Sequence, residues 1–166
     1  AIPVILSLKG RPNLREGVTL TVAFAKFGII ASMVPGVLNG TEYEFTIGQF
    51  ATGIELAFSV DPLGLLFGLL ASLLWIVTSF YSIGYMRGLD EHAQTRYFAS
   101  FAASLASAVG VAFASNLLTL FVCYELLTVS TYPLVTHDET DEARAAGRKY
   151  LAYTFGVNAV VPARTN

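Results

Sequence analysis

The sequence predicts an all-α fold: a polytopic transmembrane helix bundle of about six helices, the first and last incomplete, carrying a small extramembrane β-hairpin. Three observations predict it. Of 166 residues, 54% are hydrophobic and only 13% are charged, with a mean hydropathy of +0.60. Soluble domains carry about a quarter charged residues, so this chain has too few ionisable groups to cover a water-facing surface. The apolar residues also arrive in long runs, and roughly 18 apolar residues in succession are enough to cross a bilayer. One stretch departs from this pattern with a strict two-residue alternation, the period of a half-buried strand.

The elements follow in order. Ala1 to Leu8 reads as the tail of a helix. The polar stretch from Lys9 to Glu16 precedes an apolar run from Gly17 to Leu38, which holds Lys26 and ends near Pro35 and Gly36. Residues 39–60 form the hairpin. Tyr43, Phe45 and Ile47 alternate with Glu42, Glu44 and Thr46, and Ile54, Leu56, Phe58 and Val60 alternate with polar or small residues. Gly48 and Gly53 bracket the expected turn. Asp61 and Pro62 open the next helix as cap and first-turn residue, and Phe80, Tyr81 and Tyr85 close it at headgroup depth. After a polar loop from Arg87 to Arg96, the run from Tyr97 to Val135 is too long for one span. Ser115 and Asn116 divide it into two helices. A charged loop from His137 to Arg148 precedes a final apolar piece from Lys149 to Val161.

Alternating spans place alternate loops on one side, and Lys and Arg collect in the cytoplasmic loops. Lys9, Arg11 and Arg15 lie in the first loop, Arg87 and Arg96 in the third, and Arg144, Arg148 and Lys149 in the fifth. The hairpin loop and the Ser115–Asn116 link hold neither residue type. This pattern supports the helix count and an N-terminus on the non-cytoplasmic side.

Composition excludes several functions. No basic cluster suggests nucleic acid. Cys123 is the single cysteine, which rules out an internal disulfide and any multi-cysteine metal site. It reads as a buried, inert thiol. His92 and His137 stand in loops and read as solvated residues, so no metal and no cofactor is expected. Gly64 and Gly68, four residues apart, let another helix approach closely.

Glu125 is the candidate functional residue. The other acids lie in loops or at helix ends, whereas Glu125 lies near the middle of the Leu117 to Val135 helix. An acidic group at that depth costs roughly 2.5–3.5 kcal/mol on insertion scales, so it must face a bundle interior or a wet cavity. A proton relay needs a carboxyl in that position. The alternative role is structural, a protonated carboxyl joining helices. Phe121, Glu125, Thr128 and Tyr132 follow a four-three-four spacing on one helix face, which brings two hydroxyls near the carboxyl. Lys26 sits halfway along its apolar stretch. Two roles fit it: a relay or ion-pair group, or a side chain laid against lipid with its ammonium stretched to the interface. For Lys149 the alternatives are a relay member and a topology anchor.

Several segments, taken together, resemble a known family. They are Val60-Asp61-Pro62-Leu63-Gly64-Leu65-Leu66-Phe67, Tyr81-Ser82-Ile83-Gly84-Tyr85-Met86, Asn116-Leu117-Leu118-Thr119-Leu120-Phe121 leading into Tyr124-Glu125-Leu126, Thr131-Tyr132-Pro133-Leu134-Val135 and Ala146-Gly147-Arg148-Lys149-Tyr150-Leu151. Arg11 to Glu16 adds weaker support. The chain resembles the antiporter-like membrane subunits of respiratory NADH-quinone oxidoreductase, most of all the D subunit of multisubunit monovalent cation/proton antiporters. That resemblance implies a single membrane domain over 1–166, a fragment of a subunit of about fourteen helices built on inverted repeats. It implies a proton path through the acid matching Glu125, with the lysine matching Lys149 as a secondary member. Thr128, Tyr132 and Lys26 are supporting candidates from position alone, since Lys26 has no family counterpart. The implied partners are other membrane subunits, the lipid bilayer, protons and either Na+ or K+, in a prokaryotic plasma membrane, with no redox centre in this chain. Gly156 to Asn166 depart from the family pattern. The alternative expectation is a truncated structural remnant that assembles helices and moves no ions.

Overall fold

The computed structural model describes residues 2–8, 11–51, 54–88, 94–136 and 140–163, of which 49–51, 54 and 157–163 are described by backbone only. Lys9, His92 and His137 lie outside the described residues. The elements run α1 (Ile2–Ser7), α2 (Pro12–Leu38), β1 (Tyr43–Ala51), β2 (Ile54–Val60), α3 (Pro62–Gly88), α4 (Gln94–Ala112), α5 (Leu117–Val135) and α6 (Asp141–Ala163).

The helices are longer than the apolar runs. α2 begins at Pro12, so the polar stretch before Gly17 is its first turns rather than a loop, and α6 begins at Asp141 rather than Lys149. Hydropathy measures only the hydrocarbon thickness, whereas the backbone ladder continues through the headgroup layer wherever the ends are satisfied. Pro12 suits the start of α2 because its missing N–H needs no partner there, and Thr140 Oγ1 accepts from Ala143 N at 3.1 Å to cap α6. With 27 residues each, α2 and α3 are about 40 Å long at 1.5 Å per residue, a full bilayer with its headgroups. Helices α2, α3 and α5 are long and apolar enough to cross a membrane, and the chain is an integral membrane protein.

α3 shows how the bundle meets lipid. Leu63, Leu66, Phe67, Leu70, Leu73, Leu74 and Val77 are exposed, while Gly64, Gly68, Ser72, Trp75, Ser79 and Ser82 are buried. This reverses the pattern of a water-soluble helix. Lipid tails solvate leucine as well as a protein core does, so helix contact is left to small residues that let backbones approach. At Gly68 a β-carbon would stand 3.0 Å from the Phe113 ring, and at Gly64 one would collide with the Ala112 carbonyl. The spacing read from sequence does serve a close approach of α3 and α4. Gly110 does the same for α4 and α5, where Cys123 Sγ would lie 2.8 Å from an added β-carbon. Cys123 is buried there as a free thiol.

α2 ends in a glycine cap. Gly40 takes φ +79°, a left-handed conformation that glycine adopts without steric cost, and donates to Val37 O at 3.0 Å. The hairpin follows, with Tyr43 opposite Val60 and Phe45 opposite Phe58. Gly48 is not at the turn. It lies within β1 opposite Leu56, where the register shifts between Thr46 and Gly48. An extra residue there forms a bulge, a place where a glycine in a strand is well suited.

The hairpin is tied to the break between α4 and α5. Ser59 N donates to Phe113 O at 2.8 Å and Ser115 N to Ala57 O at 3.1 Å. Asn116 does two jobs: its Oδ1 caps α5 by accepting from Thr119 N at 2.8 Å, and its Nδ2 donates to Glu55 O at 3.0 Å. The hairpin and the α4–α5 link therefore share one end of the bundle. Arg15 of α2, Arg87 of α3 and Gln94 of α4 meet at the other. The helices alternate direction as the distribution of basic residues predicted.

Candidate functional site

Glu125 lies at the middle of α5, which packs between α4 and α6. The residue is half-buried. Thr128 is 2% exposed, and its hydroxyl donates to Tyr124 O at 3.2 Å within the same helix. Phe121 and Tyr132 complete the face: Phe121 is exposed, and the Tyr132 ring packs where Gly147 of α6 leaves room, 2.8 Å from a β-carbon built there. A hydrogen bond of 2.6 Å between Thr131 Oγ1 and Tyr150 OH joins α5 to α6. Tyr150 neighbours Lys149, so Lys149 sits near the level of Thr131, six residues or about 9 Å along α5 from Glu125. Lys149 is exposed on α6.

Lys26 is elsewhere. It turns inward between α2, α3 and α4 rather than toward lipid: its ammonium donates to Leu105 O at 3.2 Å and stands 4.9 Å from the centre of the Trp75 ring. A cation over an indole face is held by the ring quadrupole. The arrangement separates two groups of candidates, with Glu125, Thr128, Tyr132 and Lys149 on α5 and α6 and Lys26 in the α2–α3–α4 interface. Among the described residues, no set of three or more His, Cys, Asp or Glu side chains is placed to hold a metal ion.

Sequence reasoning missed a buried ion cluster. Arg15 and Glu16, assigned to a polar loop, are 4% and 5% exposed. Glu16 accepts from Arg87 Nε at 3.2 Å and lies 3.6 Å from Arg15. Arg15 also donates to Gln94 Oε1 at 2.6 Å and Thr95 Oγ1 at 3.0 Å, with its guanidinium over the Phe98 ring. The available signal was the position of Arg15 and Glu16, one turn inside a helix that starts at Pro12.

The chain's relatives agree with this architecture. Residues 45–98 match the family model described as NADH-Ubiquinone oxidoreductase (complex I), chain 5 N-terminus. The "Putative antiporter subunit mnhA2" of Staphylococcus haemolyticus is 28% identical over 133 residues, 80% of this chain and 16% of that protein. The chain is a relative of the antiporter-like membrane subunits. Another such subunit, NAD(P)H-quinone oxidoreductase subunit 5 of Paulinella chromatophora, is 26% identical over 137 residues, 81% of this chain and 20% of that protein. The chain thus spans a fifth or less of these antiporter-like proteins. In fold it superposes on a chain of the Mrp complex from Dietzia sp. DQ12-45-1b with a TM-score of 0.77 at 19% identity, covering 96% of this chain and 30% of that one. The sequence motifs pointed to a D subunit, whereas these two relatives are mnhA2 and subunit 5.

Proposed function

We propose that this chain is part of a membrane subunit that couples proton movement to monovalent cation antiport or to quinone-linked electron transfer in a larger complex. The observation that supports the reading most is Glu125: a half-buried carboxyl at the middle of a helix that packs between two others, in a segment whose relatives include antiporter and quinone-oxidoreductase subunits. Glu125 holds and releases the proton, and Lys149 on the adjacent helix modulates it electrostatically. Thr128 and Tyr132 line the same face. Other membrane subunits complete the path, the cation is Na+ or K+, and the membrane is a prokaryotic plasma membrane.

The test is Glu125→Gln in the full-length subunit, assembled in its complex and reconstituted in vesicles. Gln keeps the shape and removes the ionisable proton. Proton-coupled transport is expected to fall to background while assembly is kept. Transport at the wild-type rate with assembly intact would leave the chain a role in assembly only.

A further inference from the structure

Two clefts among the described residues meet at Asp61, just before α3 begins. One, of about 250 Å³, runs along the first turns of α3 beside the end of α4, with Leu63, Gly64 and Phe67 on one side and Val111 and Ala112 on the other. Leu63 and Phe67 are 74% and 50% exposed, so this apolar cleft opens on the face that the bundle turns to lipid. The other, of about 390 Å³, lies between the base of the hairpin and the end of α2. Its polar lining is Thr41, Glu42, Glu44, Ser59 and Asp61.

The strand register explains the acidic lining. Tyr43 pairs with Val60, and both pack against Ile30, Val37 and Leu65. Alternation then turns Glu42 and Glu44 to the opposite face, with Ser59 across from Glu44. Asp61 follows Val60, and its Oδ1 accepts from Gly64 N at 2.6 Å. A carboxylate has about four acceptor sites on its two oxygens, so this cap leaves Asp61 able to take another donor. Three carboxylates therefore line one cleft, where like charges repel. The elements around both clefts fall within residues 27–86 and 97–143, which contain no Lys or Arg. An acidic surface alone needs only water. Here it stands directly above an apolar cleft on the same helix, in the order in which a phospholipid presents its headgroup and its acyl chains.

We propose that the two clefts form one lipid site, taken by a phospholipid with a primary-amine headgroup. An acyl chain lies along Leu63, Gly64 and Phe67 against Val111 and Ala112, and the ammonium meets Glu42, Glu44 and Asp61. Charge complementarity selects the headgroup. A primary ammonium brings three N–H donors and the positive charge that these segments lack, whereas a glycerol headgroup leaves the net negative charge of its phosphate beside three carboxylates. The inference goes beyond the Glu125 reading and does not depend on it.

Photolabelling tests the site in the full-length subunit within its complex, reconstituted in vesicles of equal parts phosphatidylethanolamine and phosphatidylglycerol. A photoactivatable group partway along an acyl chain is carried, at trace level, on one lipid or the other. The stretch from Leu63 to Phe67 is expected to take up the ethanolamine probe about fivefold more than the glycerol probe, the scale of a small set of exposed ion pairs. Leu73 and Leu74, which also face lipid, are expected to take up both equally. Equal labelling by the two probes at 63–67 would reduce the site to ordinary boundary lipid, and absence of label there would show that another helix of the longer subunit covers the cleft; either overturns the proposal. The triple variant Glu42→Gln, Glu44→Gln, Asp61→Asn keeps a capping side chain at 61 and is expected to equalise the two probes. An ethanolamine preference that survives in it would overturn the assignment of the ammonium to these carboxylates. Labelling is read without transport, so it is the same in Glu125→Gln, and failure of the Glu125 reading is seen separately.

Discussion

Glu16 anchors two arginines from different helices, and the bundle is closed there by charge rather than by apolar packing. Arg15 and Glu16 are neighbours on α2, and Arg87 reaches Glu16 from the end of α3. Removing Glu16 leaves the buried Arg15 guanidinium without its carboxylate, whereas the half-exposed Arg87 turns to water. Glu16→Ala is therefore expected to lower stability by about 1–3 kcal/mol, read as a drop in the thermal midpoint of the detergent-solubilised complex, with Glu16→Asp intermediate. A midpoint unchanged by Glu16→Ala would show that water already screens the cluster. The sequence carried little warning of this. A charged residue at the edge of an apolar run looks the same in a loop and in a buried first turn, and only the helix packed opposite distinguishes the two. Glu125 is the contrary case. Its mid-helix position is readable directly from the apolar residues on either side.

At the scale of elements, the helices were legible as apolar runs and the hairpin as alternation, because both periods follow from backbone geometry alone. Their ends were not. The termini of α2 and α6 lie where polar side chains face headgroups and water, so hydropathy falls before the helix stops. Gly48 was misplaced for a related reason: a glycine in an alternating segment marks a bulge as readily as a turn. The pairing of Gly64 and Gly68 with α4 gives a test at this scale. Gly64→Leu places a side chain where the Ala112 carbonyl now lies, and overpacking of this kind costs about 1–3 kcal/mol. The expected result is a loss of stability at least as large as that of the same change at Gly84, which has open space around it. Asn116→Ala is expected to act on the hairpin as well as the helix. It removes a cap worth about 1 kcal/mol together with the bond to Glu55 O, and faster cleavage of the hairpin by an added protease would report it.

For the whole molecule, the two ends differ in kind. One carries the hairpin and the α4–α5 link, the other the cluster of Arg15, Glu16, Arg87 and Gln94. Cysteines introduced at the exposed positions Glu42 and Arg144 are expected to react with a membrane-impermeant maleimide from opposite faces of sealed vesicles. Labelling of both from one face would contradict the alternation. The sequence by itself determined the apolar character of the helices, their number, the alternation of the loops between two ends and the mid-helix position of Glu125, because each depends on local composition measured against the thickness of a bilayer. Tertiary structure alone decided which polar groups are shared between helices: the closing of Arg15, Glu16 and Arg87 into one cluster, and the turning of Lys26 inward onto Trp75. Those pairings join residues about fifty to seventy apart in the chain, and they depend on the rotation of each helix about its axis, which packing sets.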